Sequence, residues 1–528
     1  MKNIVIFDST LRDGAQAEGI SFSVGDKLKI AQALDNFGVG YIEAGNPGSN
    51  PKDLEFFNKL KEIKLQTAKL AAFGATRKSG IAAPDDKNIQ SLLNAETEVI
   101  AIFGKSWDFH VTDIIRTTLD ENLNMIRDTI AYLKSLGKEV IYDAEHFFDG
   151  YKANPGYAMQ TLQAAADAGA DCLCLCDTNG GCFPLEIYEA VQKCVNIFVV
   201  PIGIHCHNDS GMAVANSIMA VEAGAQHVQG TFIGFGERCG NANLSTIIPN
   251  LQLKRKYSCI PAENMAVLTK VARFVAEVSN IALSDKDPYV GHSAFAHKGG
   301  MHIDGVSKAT SSFEHISPEA VGNARKLLTS EVAGRTTILT HIQKVAPHIT
   351  KDSPETSQII AKLKAMEHEG YQFEGAESTF ELIIRKQLGK YKPFFELEQF
   401  KIIGEQPNEN KYSASAVIKI VVDGKTEITA AEGEGPVNAL DKALRKALEV
   451  FYPDLSAVYL VDYKVRVMDS NSATASKVRV LIESSDGTDK WTTVGVSKDI
   501  IEASWIALVD SIEYKLIKDI SHKFKDYL

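Results

Sequence analysis

The chain has 528 residues, of which 45% are apolar and 23% are charged, and its formal net charge is −11. This balance is typical of a folded globular protein of two or three domains and argues against a disordered or membrane protein. The acidity argues against a nucleic-acid partner or an acidic membrane surface, so small metabolites are the expected ligands. The apolar N-terminal run is too short for a signal peptide and no stretch reaches membrane-spanning length, so we expect a cytoplasmic protein.

The first half of the chain repeats one unit, in which a short apolar run ends in polar or glycine-rich residues and a helix-like stretch follows. Eight such runs occur, at Ile4–Phe7, Tyr41–Ala44, Lys69–Phe73, Val99–Phe103, Glu139–Tyr142, Cys172–Cys176, Ile202–His205 and His227–Phe232. Eight strand–helix units predict a closed (β/α)8 TIM barrel of the α/β class. The alternative is an open doubly wound sheet, but the glycine-rich dinucleotide fingerprint after the first strand is missing.

The pattern changes twice beyond the predicted barrel, which we assign to residues 1–262. Residues 263–385 read as a mostly helical linker region. Residues 386–528 read as an α+β domain of the regulatory type with two related β–α halves, because strand-like Ala414–Val422 and Lys477–Glu483 are each followed by an apolar helix.

Eight cysteines without a secretory signal predict free thiols rather than a disulfide framework. Three of them, Cys172, Cys174 and Cys176, alternate with leucines. A thiolate metal site is one interpretation of this spacing. We favour the interpretation that they are small side chains on one face of a buried strand, because no second cysteine pair accompanies them.

Two predicted strand ends carry the residues of a candidate metal site. Arg12 and Asp13 follow the first strand, and by themselves they would be read as a surface ion pair. His205 and His207 end the seventh strand and share one face of it, because side chains alternate along a strand. In a barrel these ends meet at one rim, so Asp13 and the two imidazoles form an N,N,O set for a catalytic divalent cation.

Three further strand ends offer candidate residues. Asn241 follows the eighth strand and is a possible fourth metal ligand, although its surroundings also read as an ordinary glycine-rich turn. Thr178 follows the sixth strand and is placed to donate a hydrogen bond to a substrate carboxylate. Glu145 follows the fifth strand, where it would either pair with Arg12 or relay a proton.

Three long segments at predicted strand ends resemble the signatures of the DRE-TIM metallolyases. They are Asp8-Ser-Thr-Leu-Arg-Asp-Gly-Ala-Gln16, Gly203-Ile-His-Cys-His-Asn-Asp209 and Gly234-Phe-Gly-Glu-Arg-Cys-Gly-Asn241. Because a linker and a terminal domain follow the barrel, the chain most resembles the Claisen-condensing branch of that family, which includes 2-isopropylmalate, homocitrate and citramalate synthases.

The resemblance implies a reaction and its ligands. Residues 8–10, 142–151 and 297–302 are most similar to members that condense acetyl-CoA with pyruvate, so these are the implied substrates. The implied cofactor is a divalent cation, Mn²⁺, Zn²⁺, Co²⁺ or Mg²⁺. The terminal domain resembles one that binds an end-product amino acid, which implies isoleucine as a feedback inhibitor.

The resemblance also implies residue roles and an assembly. The implied catalytic residues are Arg12, Glu145 and His302, the substrate-binding residues are Arg12, Gln16, Tyr142 and Thr178, and the metal ligands are Asp13, His205, His207 and Asn241. His302 matches a linker histidine that enters the barrel of a neighbouring subunit, so a homodimer is expected. The alternative is that His292, His297 and His302 are merely polar loop residues.

Two points bear on specificity. A pocket lined by Phe73, Phe103 and Tyr142 would accept a small methyl group more readily than a branched chain, although a single methylene is worth only about 1–3 kcal/mol. The chain also departs from the family at Phe313, where relatives usually carry a tyrosine, so that residue is left out of the predicted site.

Three other functions remain as alternatives. The chain would be a 2-isopropylmalate or homocitrate synthase if it preferred another 2-oxo acid. Related metal barrels also run aldol and acyl-CoA lyase cleavage, against which the terminal domain argues. A metabolite sensor is the non-enzymatic alternative, and the intact residues Arg12, Asp13, His205 and His207 argue against it.

Overall fold

A computed structural model describes residues 2–48, 50–61, 63–328, 335–373, 375–404, 413–468 and 476–525. The chain forms two compact units. The first comprises residues 1–295 and 316–325, and the second comprises residues 296–315 and 326–528. This division into two units does not test the predicted domain limits at residues 262 and 385, which remain predictions.

The first unit is a closed barrel of eight parallel strands in sequence order. The strands are β1 (Val5–Asp8), β2 (Tyr41–Glu43), β3 (Lys69–Ala75), β4 (Val99–Lys105), β5 (Glu139–Glu145), β6 (Cys172–Asp177), β7 (Ile202–Cys206) and β8 (His227–Gly230). Val5 of β1 lies opposite His227 of β8, and this pairing closes the barrel. The predicted TIM barrel is confirmed, and the open sheet is excluded.

The helices of this unit follow the strands that they connect. They are α1 (Val24–Phe37), α2 (Pro51–Leu60), α3 (Lys87–Asn94), α4 (Leu119–Ser135), α5 (Phe147–Ala153), α6 (Pro155–Asp167), α7 (Pro184–Ile197), α8 (Ala213–Glu222), α9 (Leu244–Pro249) and α10 (Leu268–Val278). Local sequence sets their first turns. For example, Ser23 and Asp26 form a capping box at the start of α1, which satisfies two backbone N–H groups there.

The barrel has an apolar interior below its rim. One buried cluster contains Phe7, Ala71, Val99, Ala101, Ile141, Cys172, Cys174 and Cys176. The intervening strand residues, such as Leu173 and Leu175, face the helices and belong to the larger outer core. All eight cysteines are free thiols, and the three on β6 share the inner face as small side chains.

The second unit begins with a pair of two-residue strands, β9 (Ala296–His297) and β10 (Lys326–Leu327), with helix α11 (Gly300–Lys308) between them in the chain. Helices α12 (Arg335–Val345), α13 (Pro354–Glu369) and α14 (Glu377–Gln387) follow. They share an apolar cluster that includes Ile342, Leu363 and Ile384. This is the predicted helical region.

Two antiparallel sheets end the chain, each followed by a helix. Strands β11 (Glu396–Gly404), β12 (Ala414–Val422) and β13 (Lys425–Gly433) precede α15 (Pro436–Leu448), and strands β14 (Tyr459–Val467), β15 (Val478–Ser485) and β16 (Lys490–Ser497) precede α16 (Ile500–Lys525). Both sheets and both helices share one apolar core. The α+β terminal domain with two related halves is confirmed.

In the part of the chain that the structure describes, no helix combines the length and the hydrophobicity needed to cross a bilayer.

Candidate metal centre and substrate cavity

Asp13, His205 and His207 converge at the rim of the barrel. His205 points inward from β7, Cys206 points outward, and His207 follows on the inner side. Asp13 Oδ2 lies 3.5 Å from Nε2 of His205 and 3.9 Å from Nε2 of His207. One potential ligand atom from each residue lies within 4.8 Å of the other two, so the three side chains can share one cation.

The charge states of these groups suit a cation. Burial opposes ionisation of Asp13, but Arg12 and the two imidazoles hold the pKa of its carboxyl well below the usual range. Burial and the neighbouring His207 lower the pKa of His205 to about 3, so its imidazole is neutral. An ionised carboxylate beside a neutral imidazole is the form in which both groups bind metals.

Several buried polar atoms at this point have no hydrogen-bond partner among the described residues. They are Asp13 Oδ1, His207 Nδ1, and Oδ1 and Nδ2 of Asn241. Asn241 reaches the centre through a backbone bridge to His207, and a Cβ on Gly236 would lie only 2.1 Å from its Nδ2 atom. Buried polar groups are normally paired, so the unpaired carboxylate oxygen of Asp13 and amide oxygen of Asn241 fit the donor set of a divalent cation.

Arg12 is held beside the metal centre by three contacts. Its Nε donates to Glu43 Oε2 at 2.6 Å and its Nη1 donates to Asp13 Oδ2 at 3.1 Å. Its guanidinium carbon lies 3.8 Å from the centre of the Phe73 ring. The side chain is only 12% exposed, so Arg12 and Asp13 are not a surface ion pair.

A cavity of about 230 Å³ opens above these residues. Four polar residues predicted to contact substrate or take part in catalysis line it, namely Arg12, Gln16, Glu145 and Thr178. Phe73 and Phe103, which were predicted to line the substrate pocket, also do so. The other lining residues are Asp13, Asp143, Cys176, His205, His207 and Glu237. The metal centre, the arginine and these polar side chains therefore face one space.

Tyr142 is not part of this cavity. It is fully buried and belongs to the outer core, where its hydroxyl lies 3.4 Å from Ser106 Oγ. On β5 the inward positions are those of Asp143 and Glu145, and a residue one place earlier must face the helices. The structure therefore puts Asp143 where the sequence analysis expected Tyr142.

Two of the predicted polar residues have defined partners. Glu145 pairs with Lys105 at the end of β4, and not with Arg12, whose carboxylate partner is Glu43. The hydroxyl of Thr178 accepts a hydrogen bond from the backbone N–H of His146 at 2.9 Å. Its own hydrogen therefore remains available for a substrate oxygen in the cavity.

Sequence reasoning missed five polar residues around the site, namely Glu43, Lys105, Asp143, Gln229 and Glu237. Glu43, Lys105 and Asp143 lie at or near the C-terminal ends of strands, the position that marks functional residues in barrels. That signal could have found them. Gln229 lies within a short apolar run, where nothing in the residue pattern distinguishes it.

The predicted catalytic histidine belongs to the second unit. His302 lies in α11, and its ring stacks on Phe313 with the ring centres 4.1 Å apart. His297 is buried, and its Nε2 lies 3.0 Å from Glu314 Oε1. The two histidines therefore have different surroundings, and His302 is the exposed one.

A second cavity, of about 540 Å³, lies at the C-terminal ends of β3 and β4 in the barrel unit. Its lining includes three cationic side chains, Arg77, Lys78 and Lys105, together with the apolar residues Phe103 and Met125. Phe103 also lines the first cavity, so the walls of the two cavities share this residue.

Three family models match successive parts of the chain. A model described as HMGL-like matches residues 3–275, one described as homocitrate synthase post-HMGL domain-like matches residues 289–371, and one described as LeuA allosteric (dimerisation) domain matches residues 374–516.

Full-length relatives carry consistent names. The chain is 53% identical to the (R)-citramalate synthase of Aquifex aeolicus (strain VF5), over 98% of both chains. It is 52% identical to the (R)-citramalate synthase of Geobacter sulfurreducens, again over 98% of both. A probable 2-isopropylmalate synthase of Methanopyrus kandleri is more distant, at 31% identity over 96% of this chain and 97% of the relative.

Proposed function

The chain belongs to the HMGL-like family, and from this membership we propose that it condenses acetyl-CoA with pyruvate and hydrolyses the thioester, giving (R)-citramalate and CoA. The membership confirms the family expected from the three strand-end segments. The observation that carries the proposal is the convergence of Asp13, His205, His207 and Arg12 on one cavity. The full-length relatives named (R)-citramalate synthase support the choice of reaction.

Residues in and beside the metal centre would contact different parts of pyruvate. Asp13, His205, His207 and Asn241 would hold a divalent cation, which supplies Lewis-acid polarisation of the keto group when bound. Arg12 presents its guanidinium to the same oxygen and stabilises the negative charge that develops there. Thr178 donates to the carboxylate of pyruvate, and Gln16 adds a further polar contact.

Glu145 is the residue in this cavity that we assign to proton transfer. The acetyl methyl group is weakly acidic, so its proton must meet a base that is already in position. Lys105 pairs with Glu145 and fixes the orientation of that carboxylate. His302 of a second subunit would complete the site, in keeping with its exposed position on α11.

The second cavity is suited to the CoA part of the substrate. Lys78 is the exposed cation that would meet a phosphate group, since Arg77 pairs with Glu121 and Asp128 and Lys105 pairs with Glu145. The apolar wall of the cavity suits the pantetheine arm. Because Phe103 borders both cavities, a thioester placed there would lie within reach of Glu145.

The terminal domain supports two further parts of the proposal. The matching family model is named for allostery and dimerisation, so we infer that the enzyme acts as a homodimer. We also infer that isoleucine, the amino acid for whose synthesis citramalate would serve, inhibits it through this domain. Initial rates measured against isoleucine, with leucine and valine as controls, test the inference, and equal insensitivity to all three would contradict it.

Thiol release from acetyl-CoA tests the reaction itself. The assay uses pyruvate, 2-oxoisovalerate and 2-oxoglutarate in turn, with and without a chelator. We expect pyruvate to give the highest kcat/KM and the chelator to stop turnover. Preference for 2-oxoisovalerate or 2-oxoglutarate would instead indicate isopropylmalate or homocitrate synthesis. No release with any acceptor would leave cleavage or sensing as the function.

A further inference from the structure

Three buried side chains form a hydrogen-bonded chain across the barrel interior, and the proposed reaction assigns no role to two of them. Nδ1 of His205 lies 3.1 Å from Gln229 Oε1, and Gln229 Nε2 donates to Asp143 Oδ1 at 2.8 Å. Gln229 is fully buried, and Asp143 is only 4% exposed. The chain joins β5, β8 and β7 in one layer.

The direction of each hydrogen bond follows from the chemistry of the groups. The Asp143 oxygen accepts from Gln229, so the amide must turn its NH₂ group toward Asp143. Its carbonyl oxygen then faces His205 and can only accept. Nδ1 of the neutral His205 ring must therefore carry the hydrogen, and Nε2, on the side of Asp13, presents its lone pair.

The thiol of Cys174 reinforces this direction. It also interacts with Asp143, and burial raises the pKa of Cys174 well above its ordinary value. The thiol thus keeps its hydrogen and acts as a second donor to the carboxyl group. Two donors, Gln229 Nε2 and the Cys174 thiol, therefore point at the Asp143 carboxyl group, and this arrangement orients the Gln229 amide.

We propose that Gln229 is a positioning residue for the metal centre, which selects the Nδ1–H form of His205 so that Nε2 is free to bind the cation, and that Asp143 fixes the amide of Gln229. This inference rests on the metal centre of the proposed function. Outer partners of this kind orient metal-bound imidazoles and alter metal affinity by about 10–100-fold.

Binding of Mn²⁺ alone to the metal-free protein tests the inference without any turnover. The free Mn²⁺ signal in electron paramagnetic resonance gives the dissociation constant. We expect Gln229→Leu to weaken binding by about 10–100-fold. Gln229→Glu should restore binding in part, because its carboxyl group can accept from Nδ1–H but lies against Asp143, and two carboxyl groups this close cannot both ionise. Asp143→Asn should weaken binding by a smaller factor, since an asparagine can also donate and no longer fixes the amide.

Cys172→Ala is the matched control, because Cys172 faces the same interior without joining the chain of hydrogen bonds. Its Mn²⁺ affinity should equal that of the unmodified protein. Equal affinities in Gln229→Leu and the unmodified protein would overturn this inference alone. Equal losses in Cys172→Ala and Gln229→Leu would overturn it too, as an effect of packing. If Gln229→Leu does not fold, Asp143→Asn decides by the same criterion. Failure of the unmodified protein to bind Mn²⁺ would instead remove the metal centre and the proposed function.

Discussion

Arg12 has three different kinds of partner, a carboxylate at Glu43, a second carboxylate at Asp13 and the face of the Phe73 ring. A guanidinium can satisfy all three at once, because it is planar and carries several N–H donors in fixed directions. A lysine ammonium group at the same position cannot make all three contacts at once.

Arg12→Lys is therefore expected to lower kcat by about 100-fold or more, the usual cost of losing one oriented donor to a developing oxyanion. Thiol release with pyruvate measures the effect. Arg255→Lys is the matched control, because Arg255 forms an exposed pair with Glu222 and should change kcat little. Comparable activity in the two variants would contradict the role given to Arg12.

Phe313 occupies a position where a tyrosine was expected, and its ring stacks on His302. We interpret this stacking, rather than a hydroxyl group, as its contribution. Phe313→Tyr should keep kcat within about threefold, whereas Phe313→Leu should lower it by about tenfold, since aromatic stacking is worth about 0.5–1.5 kcal/mol. Circular dichroism checks that both fold. Equal kcat values for Phe313→Leu and the unmodified protein would show that the stack is dispensable.

At the residue scale, strand alternation explains both the success and the failure of the sequence analysis. Asp13, His205 and His207 were placed together because they follow barrel strands. Tyr142 was predicted to line the cavity, but the inward position on β5 belongs to Asp143. The sequence pattern alone does not determine which of two neighbouring residues faces the barrel interior. Gln229 could not be found, since its role depends on partners 24 and 86 residues away.

At the scale of elements, the barrel strands were predictable because each is an apolar run with a polar end. The terminal sheets were harder. β12 was predicted with its observed limits, and β15 within about two residues, since both are central strands with buried positions. β11, β13, β14 and β16 were not predicted. β11 and β14 alternate poorly between buried and exposed positions.

Gly305 of α11 leaves room for the Phe313 ring, which stacks on His302. A Cβ on Gly305 would lie 2.5 Å from the Phe313 ring, so that ring must move if the glycine is replaced. Gly305→Ala should lower kcat by about tenfold by disturbing the stack on His302, although alanine favours a helix by about 1 kcal/mol.

Gly404→Ala serves as the control for Gly305→Ala, because a Cβ at Gly404 meets no atom within 4 Å. Its kcat should equal that of the unmodified protein. Thermal unfolding of both variants separates loss of activity from loss of fold. An unchanged kcat in a folded Gly305→Ala variant would contradict the dependence of His302 on Phe313.

At the scale of the whole molecule, the proposal assigns His302 to the site of a neighbouring subunit. If His302 acts on a neighbouring subunit, two defective chains can complement each other. A hybrid dimer of His205→Ala and His302→Ala contains one site with both defects and one intact site.

Mixing the two inactive variants under conditions of subunit exchange is therefore expected to restore about a quarter of the unmodified activity, since half of the dimers are hybrids and half of their sites are intact. Each variant incubated alone provides the control. If hybrid dimers form but activity is not restored, His302 acts on the barrel of its own chain or has no catalytic role.

The domain order and the barrel were accessible from sequence because they follow from repeated local patterns. The proposed role of His302 in a neighbouring subunit was not accessible from such patterns, because local patterns do not encode how subunits associate. The departure at Phe313 illustrates the difference. Sequence alone recorded a missing hydroxyl at Phe313, whereas the structure shows an aromatic stack.

The central claim is that Asp13, His205 and His207 hold a cation that the condensation requires. The most direct test measures bound metal and pyruvate-dependent thiol release on the same samples of the unmodified protein and of His205→Ala. We expect the variant to lose both, with turnover reduced by more than about 100-fold, while its circular dichroism spectrum is unchanged. A folded His205→Ala variant that retains normal turnover would contradict the account.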